Sequence, residues 1–352
     1  MPEHSPSRAG IPAVGPTPTG TEFMPGYGAE NPFIDHADAS RVSTDILAAD
    51  LGIAAVPEAE REEKKLGIAF WLAAGWMIVL VTLAVIAPFI TTDDDSSLVG
   101  ILDNPDSGIS SDPVNNQPNQ PMGSIETGHL LGTDGLGRDL LSRVIWGGRV
   151  SLSVGFAAIA FGLSVGGFIG LVSGFFRGRM ETVLMAMMDI LLAFPALILA
   201  LAIVTFTDQR TVPVISLAIG IVGIPPLARL VRANTLVYSQ REFVMAARTL
   251  GAKNSRIIWR EIVPNVARAA FSFAIIGIAV AIVAEGGLAF VGVSVPLPTA
   301  TWGTMINEGR GDLEDYPWIT MVPATVLFLT VMALNFAGDR LRGYFDVREG
   351  AL

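Results

Sequence analysis

The chain has 352 residues, 51% of them hydrophobic and only 16% charged, and its mean hydropathy of +0.52 is too high for an ordinary soluble domain. A net charge of −10, with no basic patch interleaved with aromatics, excludes a nucleic-acid partner. The absence of cysteine excludes disulfides, thiolate catalysis and Cys-ligated zinc or iron–sulfur sites. His4, His36 and His129 are isolated in polar stretches and read as solvated side chains rather than metal ligands.

Residues 1–60 begin MPEHSPSRAGIPAVGPTPTG and stay rich in Pro, Gly, Ser and Asp. Such a composition buries too little apolar surface to order itself, and it predicts a disordered acidic tail. The tail lacks the form of a secretory signal, since the first long apolar run starts near Gly67. PEAEREEKK mixes charges at helical spacing and predicts a short solvated lead-in helix.

Six stretches then reach the length of about 20 apolar residues that a helix needs to cross hydrocarbon with its backbone satisfied internally. They are 68–90, 150–175, 183–206, 212–227, 269–291 and 318–337. The second carries Gly155, Gly162, Gly166, Gly167, Gly170 and Gly174, a spacing that lets helices approach closely. The fourth is short, carries Pro213, Pro225 and Pro226, and is expected to continue as a helix beyond the membrane. Met180, Met185, Met187 and Met188 gather at the start of the third and are expected to pack against lipid or helices. The fold class is all-α, a polytopic membrane protein with six transmembrane helices in a domain covering 61–348. Between the first two spans, residues 91–149 are expected to form an external loop with a short helix.

Positive charge in short flanks is retained in the cytoplasm. Arg61, Lys64 and Lys65 precede the first span, Arg177 and Arg179 follow the second, and Arg340 and Arg342 follow the sixth. The 228–268 loop adds Arg229, Arg232, Arg241, Arg248, Lys253, Arg256, Arg260 and Arg268 on the same side. The opposite loops carry Asp93, Asp94, Asp95, Asp103, Asp106 and Asp112, then Glu308, Asp312, Glu314 and Asp315. Both termini are therefore expected in the cytoplasm.

The cytoplasmic loop contains VMAARTLGAKNSRIIWREIVPN, residues 244–265. Ala246, Ala247 and Leu250 predict a small apolar face, Gly251 a helix stop, and Asn254 or Ser255 the cap of a new helix. Pro264 predicts a sharp corner before re-entry into the membrane. Ile257, Ile258, Trp259, Ile262 and Val263 give the second helix an apolar side. Lipid contact and protein docking suit such a helix equally, because amphipathicity does not identify the partner.

AAR followed by Gly251 and IVPN resembles the cytoplasmic signature loop of ABC importer permeases: Glu-Ala-Ala, three residues, Gly, nine residues, Ile, any residue, Leu, Pro. Ala246, Ala247, Gly251 and Pro264 match, with Val263 at the Leu position. Met245 stands in place of the Glu, and Glu261 in place of the Ile. HLLGTDGLGRDLLSRVIWGGRVSL (129–152), MMDILLAFPALILA (187–200), AEGGLAFVGVSVPLPTATWGTMINEGR (284–310) and YPWITMVPATVLFLTVMALNFAGDRLRGYFDVR (316–348) resemble the C-type permease subunit of dipeptide and oligopeptide importers. The resemblance covers about residues 66–348.

The resemblance implies the type I ABC importer permease fold in a bacterial cytoplasmic membrane. It also implies four kinds of partner: a homologous permease, two ATPase subunits or one fused ATPase, an extracytoplasmic peptide-binding protein, and membrane lipid. ATP and Mg are expected on the ATPases and no cofactor in this chain. The 228–268 loop would carry the coupling helix, seated in an ATPase groove through Ala246, Ala247, Gly251, Ile258, Trp259, Arg260 and Pro264. Asp134, Gly137, Arg138, Asp139 and Arg143 would form an external structural motif, with Arg149 beside it, and contact with the binding protein is its functional alternative.

Asp189 and Glu285 sit inside predicted spans, where an ionisable group is costly and so tends to be paired or functional. Each is a candidate either for the translocation path or for pairing helices. GTDGLGRD lacks the Gly-x4-Gly-Lys-Ser/Thr pattern, as does the whole chain, so the driving energy must come from another subunit. A secondary transporter would predict internal repeats and intramembrane relay residues, and it leaves the cytoplasmic loop without a task. A membrane enzyme fails on inventory, with no HExxH, no Cys and no His within a span. Ser151, Ser153 and Ser164 are expected to hydrogen-bond between helices. Dipeptides, longer peptides, glutathione, nickel chelates and antibiotics all remain open as cargo.

Overall fold

The computed structural model describes residues 67–90, 121–122, 130–296 and 299–349. The acidic tail and most of the external loop lie outside the described residues. Ten α-helices follow in order: α1 Gly67–Ile90, α2 Leu140–Phe176, α3 Gly178–Leu192, α4 Ala196–Thr207, α5 Val212–Tyr238, α6 Glu242–Thr249, α7 Asn254–Ile257, α8 Val263–Phe290, α9 Trp302–Gly309 and α10 Pro317–Glu349. A π-helical turn, Ile258–Ile262, joins α7 to α8. No strand occurs among the described residues.

Five helices are long and apolar enough to cross a membrane, and α3 with α4 makes a sixth crossing if that bent pair counts as one span. The central element is α2, whose glycines let it touch α5 almost backbone to backbone. A Cβ on Gly166 would lie 2.6 Å from the Ile224 carbonyl oxygen, and one on Gly162 would lie 3.1 Å from the Gly220 oxygen. The contact is reciprocal, because a Cβ on Gly220 would lie 2.8 Å from the Ala158 oxygen. Without a hydrophobic force between helices in lipid, dispersion at such short range is what holds a pair together. Val154, Ala158, Ile215, Ala218 and Leu288 form the dry centre where α2, α5 and α8 meet.

Four boundaries depart from the sequence reading. First, α2 begins at Leu140, so residues 140–149 are its first turns rather than a separate helix in the external loop. Asp139 caps it there by accepting from the Ser142 N–H at 2.7 Å, and Gly147 and Gly148 pack on Thr301 and Trp302, so these turns are buried in protein. Second, the third span is bent by 86° between Leu192 and Ala196. Pro195 has no N–H to give and its ring blocks the helical position of the preceding turn, so a new helix starts after it.

Third, α7, the π turn and α8 follow one another without the expected corner at Pro264. The π turn widens the helix by one residue, and Val263 N–H bonds back to the Ile258 oxygen. This places Pro264 in the first turn of α8, where a missing N–H is tolerated. Fourth, Lys253 rather than Asn254 or Ser255 holds the cap position of α7, with no side-chain bond. By contrast Pro225 and Pro226 sit inside an unbroken α5, which runs on to Tyr238.

Gly166→Leu is expected to force α2 from α5 and cost about 3 kcal/mol or more, as overpacking against backbone does. Thermal aggregation of the purified chain in mild detergent would show it. An unchanged midpoint would mean that the close contact does not carry the bundle.

Candidate functional site

The 228–268 loop leaves α5 at Ser239 and turns at once into α6. The end of α6 is closed by two crossed bonds, Gly251 N–H to the Arg248 oxygen at 2.9 Å and Ala252 N–H to the Ala247 oxygen at 3.0 Å. This pair of bonds needs a left-handed residue between the helices, and Gly251 supplies it with φ +77°. Nothing lies within 4 Å of where its Cβ would be. Glycine is required there by backbone conformation and not by crowding.

The loop has two unlike sides. Val244, Ile257 and Ile262 are fully buried and pack on Phe175, Val231, Tyr238 and Val266, the adjoining ends of α2, α5 and α8. Arg248 lies 5.5 Å over the Phe175 ring. The outer side is apolar and open, with Leu250 88% exposed, Trp259 68% and Met245 52%. Arg241, Arg248, Lys253, Arg256 and Arg260 of the same loop are exposed as well, with Glu242 among them. Single exposed leucines are ordinary, but several large apolar side chains exposed within one short loop are the form of a contact surface.

The expected apolar face of Ala246, Ala247 and Leu250 is therefore split. Ala247 turns half-inward against the buried cluster, while Ala246 and Leu250 point out. Of the other residues proposed for docking, Gly251, Trp259, Arg260 and Pro264 are exposed and Ile258 is half-buried. Leu250 and Met245 were absent from that set. Leu250 stands immediately before the left-handed Gly251, and the packing of the loop's other side leaves it outside.

At the opposite end of α2, the 134–143 motif folds around one carboxylate. Asp134 accepts from Leu136 N–H at 2.9 Å and Arg138 N–H at 3.0 Å, from Arg138 Nε at 2.7 Å, and from Arg143 Nη1. Gly137, at φ +79°, closes the turn. Glu308 of α9 completes the group, accepting from Arg138 at 3.1 Å and Arg143 at 2.9 Å. The side chains of Arg143 and Asp134 are 1% and 5% exposed, so this is a buried network tying the start of α2 to α9. The sequence reading missed Glu308 as a member, because no local pattern connects positions so far apart.

Glu285 is fully buried in α8. It accepts hydrogen bonds from Ser294 at 2.6 Å, Thr301 at 2.8 Å and Ser151 at 3.3 Å. These join α8 to α2 and to the segment before α9, the geometry of helix pairing. Ser153 and Ser164 instead donate to Arg149 and Ala160 of their own helix, each at 2.6 Å, and bridge nothing. Asp189 of α3 pairs with Arg229 of α5 at 2.5 Å, and Glu181 pairs with Arg232 between the same two helices. Among the described residues no three His, Cys, Asp or Glu side chains are placed to hold a metal.

The described residues form a bundle of helices long and apolar enough to cross a membrane, with a loop between α5 and α8 whose inner side is packed and whose outer side is exposed. Residues 166–349 match the family model described as binding-protein-dependent transport system inner membrane component. The glutathione transport system permease protein GsiD of Pectobacterium atrosepticum is 37% identical over 62% of this chain and 72% of its own length. That of Escherichia coli is 35% identical over 78% of this chain and 84% of its own length. The methionine ABC transporter MetNI, in an inward-facing conformation, has a subunit that superposes with a TM-score of 0.50 at 19% identity, over 57% of this chain and 96% of that one.

The chain belongs to the family of binding-protein-dependent inner-membrane transport components. It is a multi-pass permease subunit of an ABC importer, not an enzyme, and its family works with ATPase and substrate-binding partners.

Truncating Arg143 to alanine would leave Arg138 as the single cation shared by Asp134 and Glu308. A loss of about 3 kcal/mol is expected, the low end of what removing one member of a buried ion pair costs, because Arg138 still bridges both carboxylates. The check is the detergent melting temperature beside that of Arg149→Ala, whose guanidinium contributes only a ring contact with Trp146 at 5.6 Å. Equal melting of the two variants would deny the network its structural weight.

Proposed function

We propose that this permease carries peptides or the peptide-like solute glutathione from outside into the cytoplasm, pairing with a homologous permease to form the path. Two ATPase subunits, or one fused ATPase, would supply the energy, and an extracytoplasmic binding protein the cargo. The similarity to glutathione permeases supports a short peptide-like solute. Nickel chelates are the alternative cargo that the same permease motifs leave open. Both termini and the 228–268 loop are assigned to the cytoplasm from the distribution of Lys and Arg.

The observation that carries the mechanism is the two-sided loop. Its outer face, with Leu250, Trp259 and Met245 exposed in a loop rich in exposed Arg and Lys, fits an apolar groove with an acidic border on an ATPase. Its inner face is packed on the ends of α2, α5 and α8, so a displacement of the docked surface moves three spans together. A soft joint would dissipate that motion. Shifting a two-state transporter from 1:99 to 99:1 takes about 5.5 kcal/mol of differential stabilisation, which must pass through this contact. In this reading Gly251 sets the turn between α6 and α7, and Pro264 begins α8 beyond the π turn. Asp134, Gly137, Arg138, Asp139 and Arg143 hold the external end rigid, and Glu285 pairs helices.

The test is to purify the tagged chain from its own membranes in mild detergent and identify the co-purifying proteins. Wild type is expected to bring a second permease and P-loop ATPases. Leu250→Asp with Trp259→Glu, both at exposed positions that leave the inner packing alone, is expected to lose the ATPases and keep the permease. Retention of the ATPases by the double variant would instead make the outer face a lipid-contacting surface, which an exposed Trp among arginines also suits.

A further inference from the structure

Two features on one side of the bundle are incompatible with lipid. The first is the Asp189–Arg229 pair, which leaves 61% and 51% of the two side chains exposed. α5 begins at Val212, just after the polar turn at Asp208–Thr211, so Arg229 sits about 25 Å along it at 1.5 Å per residue. A hydrocarbon core is about 30 Å thick, so Arg229 stands at one boundary of it, two residues past the apolar run 212–227, and reaches back to Asp189 within the run 183–206. Charged groups at such depth face protein or water.

The second feature is the break between α3 and α4. Ala193, Phe194 and Pro195 are all exposed, and the helices on either side differ in direction by 86°. Irregular backbone at membrane depth is tolerated only where protein covers it or where it lines a water-filled cavity. Asp189 lies one turn before this break, its carbonyl accepting from Ala193 N–H at 3.0 Å. Broken helices at a solute site are a recurring arrangement in transporters, because they put charges and backbone dipoles in contact with the cargo.

We infer that this face borders the aqueous solute path, and that Asp189 and Arg229 form a transfer point for a zwitterionic peptide. Arg229 takes the peptide carboxylate through its guanidinium fork while Asp189 takes the ammonium group. One ion pair is exchanged for two, and the net charge of the site stays zero at every stage, so no uncompensated charge is left at membrane depth. Glu181 and Arg232, the other charged groups between α3 and α5, are bound to each other and take no part. The inference rests on the peptide cargo proposed above.

The chain has no cysteine, so one introduced thiol reports on one position. The assembled transporter, in vesicles of phosphatidylethanolamine and phosphatidylglycerol, would carry Asp189→Cys or, as a lipid-facing comparison, Val79→Cys on the exposed side of α1. A charged methanethiosulfonate is expected to react with the first roughly tenfold faster or more, since hydrocarbon excludes the reagent. A dipeptide with free termini is expected to slow that reaction. The neutral double variant Asp189→Asn, Arg229→Gln leaves no orphaned charge. It is expected to take up a free dipeptide about tenfold more slowly, having lost two charge-assisted contacts, and an N-acetylated, C-amidated dipeptide unchanged.

Equal labelling of the two thiols would remove the face from the path. Unchanged preference between the two dipeptides in the neutral variant would remove the transfer role. A wild-type complex that takes up neither peptide would overturn the cargo reading instead, and the labelling rates would still decide whether the face meets water.

Discussion

The close approach of α2 to α5 is the contact on which the remaining architecture depends. Gly162 and Gly166 on one helix and Gly220 on the other leave no room for a side chain, so the two backbones meet along much of their length. In water a small residue at an interface forfeits hydrophobic burial, but in lipid there is none to forfeit. What matters there is how many atoms reach van der Waals distance, and glycine brings the most backbone into range. The price is that neither helix can slide or rotate without collision, so the pair behaves as one rod.

Both ends of that rod are fastened differently, in keeping with their surroundings. At the Leu140 end the fastening is electrostatic: Asp134 and Glu308 hold Arg138 and Arg143 in a largely buried site that joins α2 to α9. At the other end it is apolar, with Val244, Ile257 and Ile262 of the loop fitted against Phe175, Val231, Tyr238 and Val266. A buried ion network is sensitive to the loss of any partner. A hydrophobic seat tolerates small shifts while still transmitting force, which suits a surface through which another protein is proposed to pull.

The bend between α3 and α4 is the exception to this rigidity. Elsewhere in the spans proline is absorbed without a break, as with Pro225 and Pro226 inside α5. At Pro195 the chain breaks, and it does so on the exposed side beside a half-exposed ion pair. Irregular backbone and unshielded charge occur together where water enters a membrane protein. A rigid frame around a single broken span separates support from the surface proposed to handle solute.

Much of this was legible without coordinates. A helical fold with up to six crossings follows from the length of the apolar runs, because hydrocarbon leaves the backbone no alternative. The left-handed turn at Gly251 follows from local chemistry, and so does the cap at Asp139, although its side chain was read only as part of a motif. Three things were decided by tertiary contact. Proline stops a helix or is absorbed according to what surrounds it, so Pro195 ends α4's predecessor while Pro264 is accommodated by a π turn. Leu250 and Val244 are both apolar members of one short loop, but only packing on α2, α5 and α8 determines that Val244 is buried and Leu250 exposed. Glu308 and Glu285 find their partners on distant segments, at Arg143 and Ser151, because folding brings together groups that no periodicity relates.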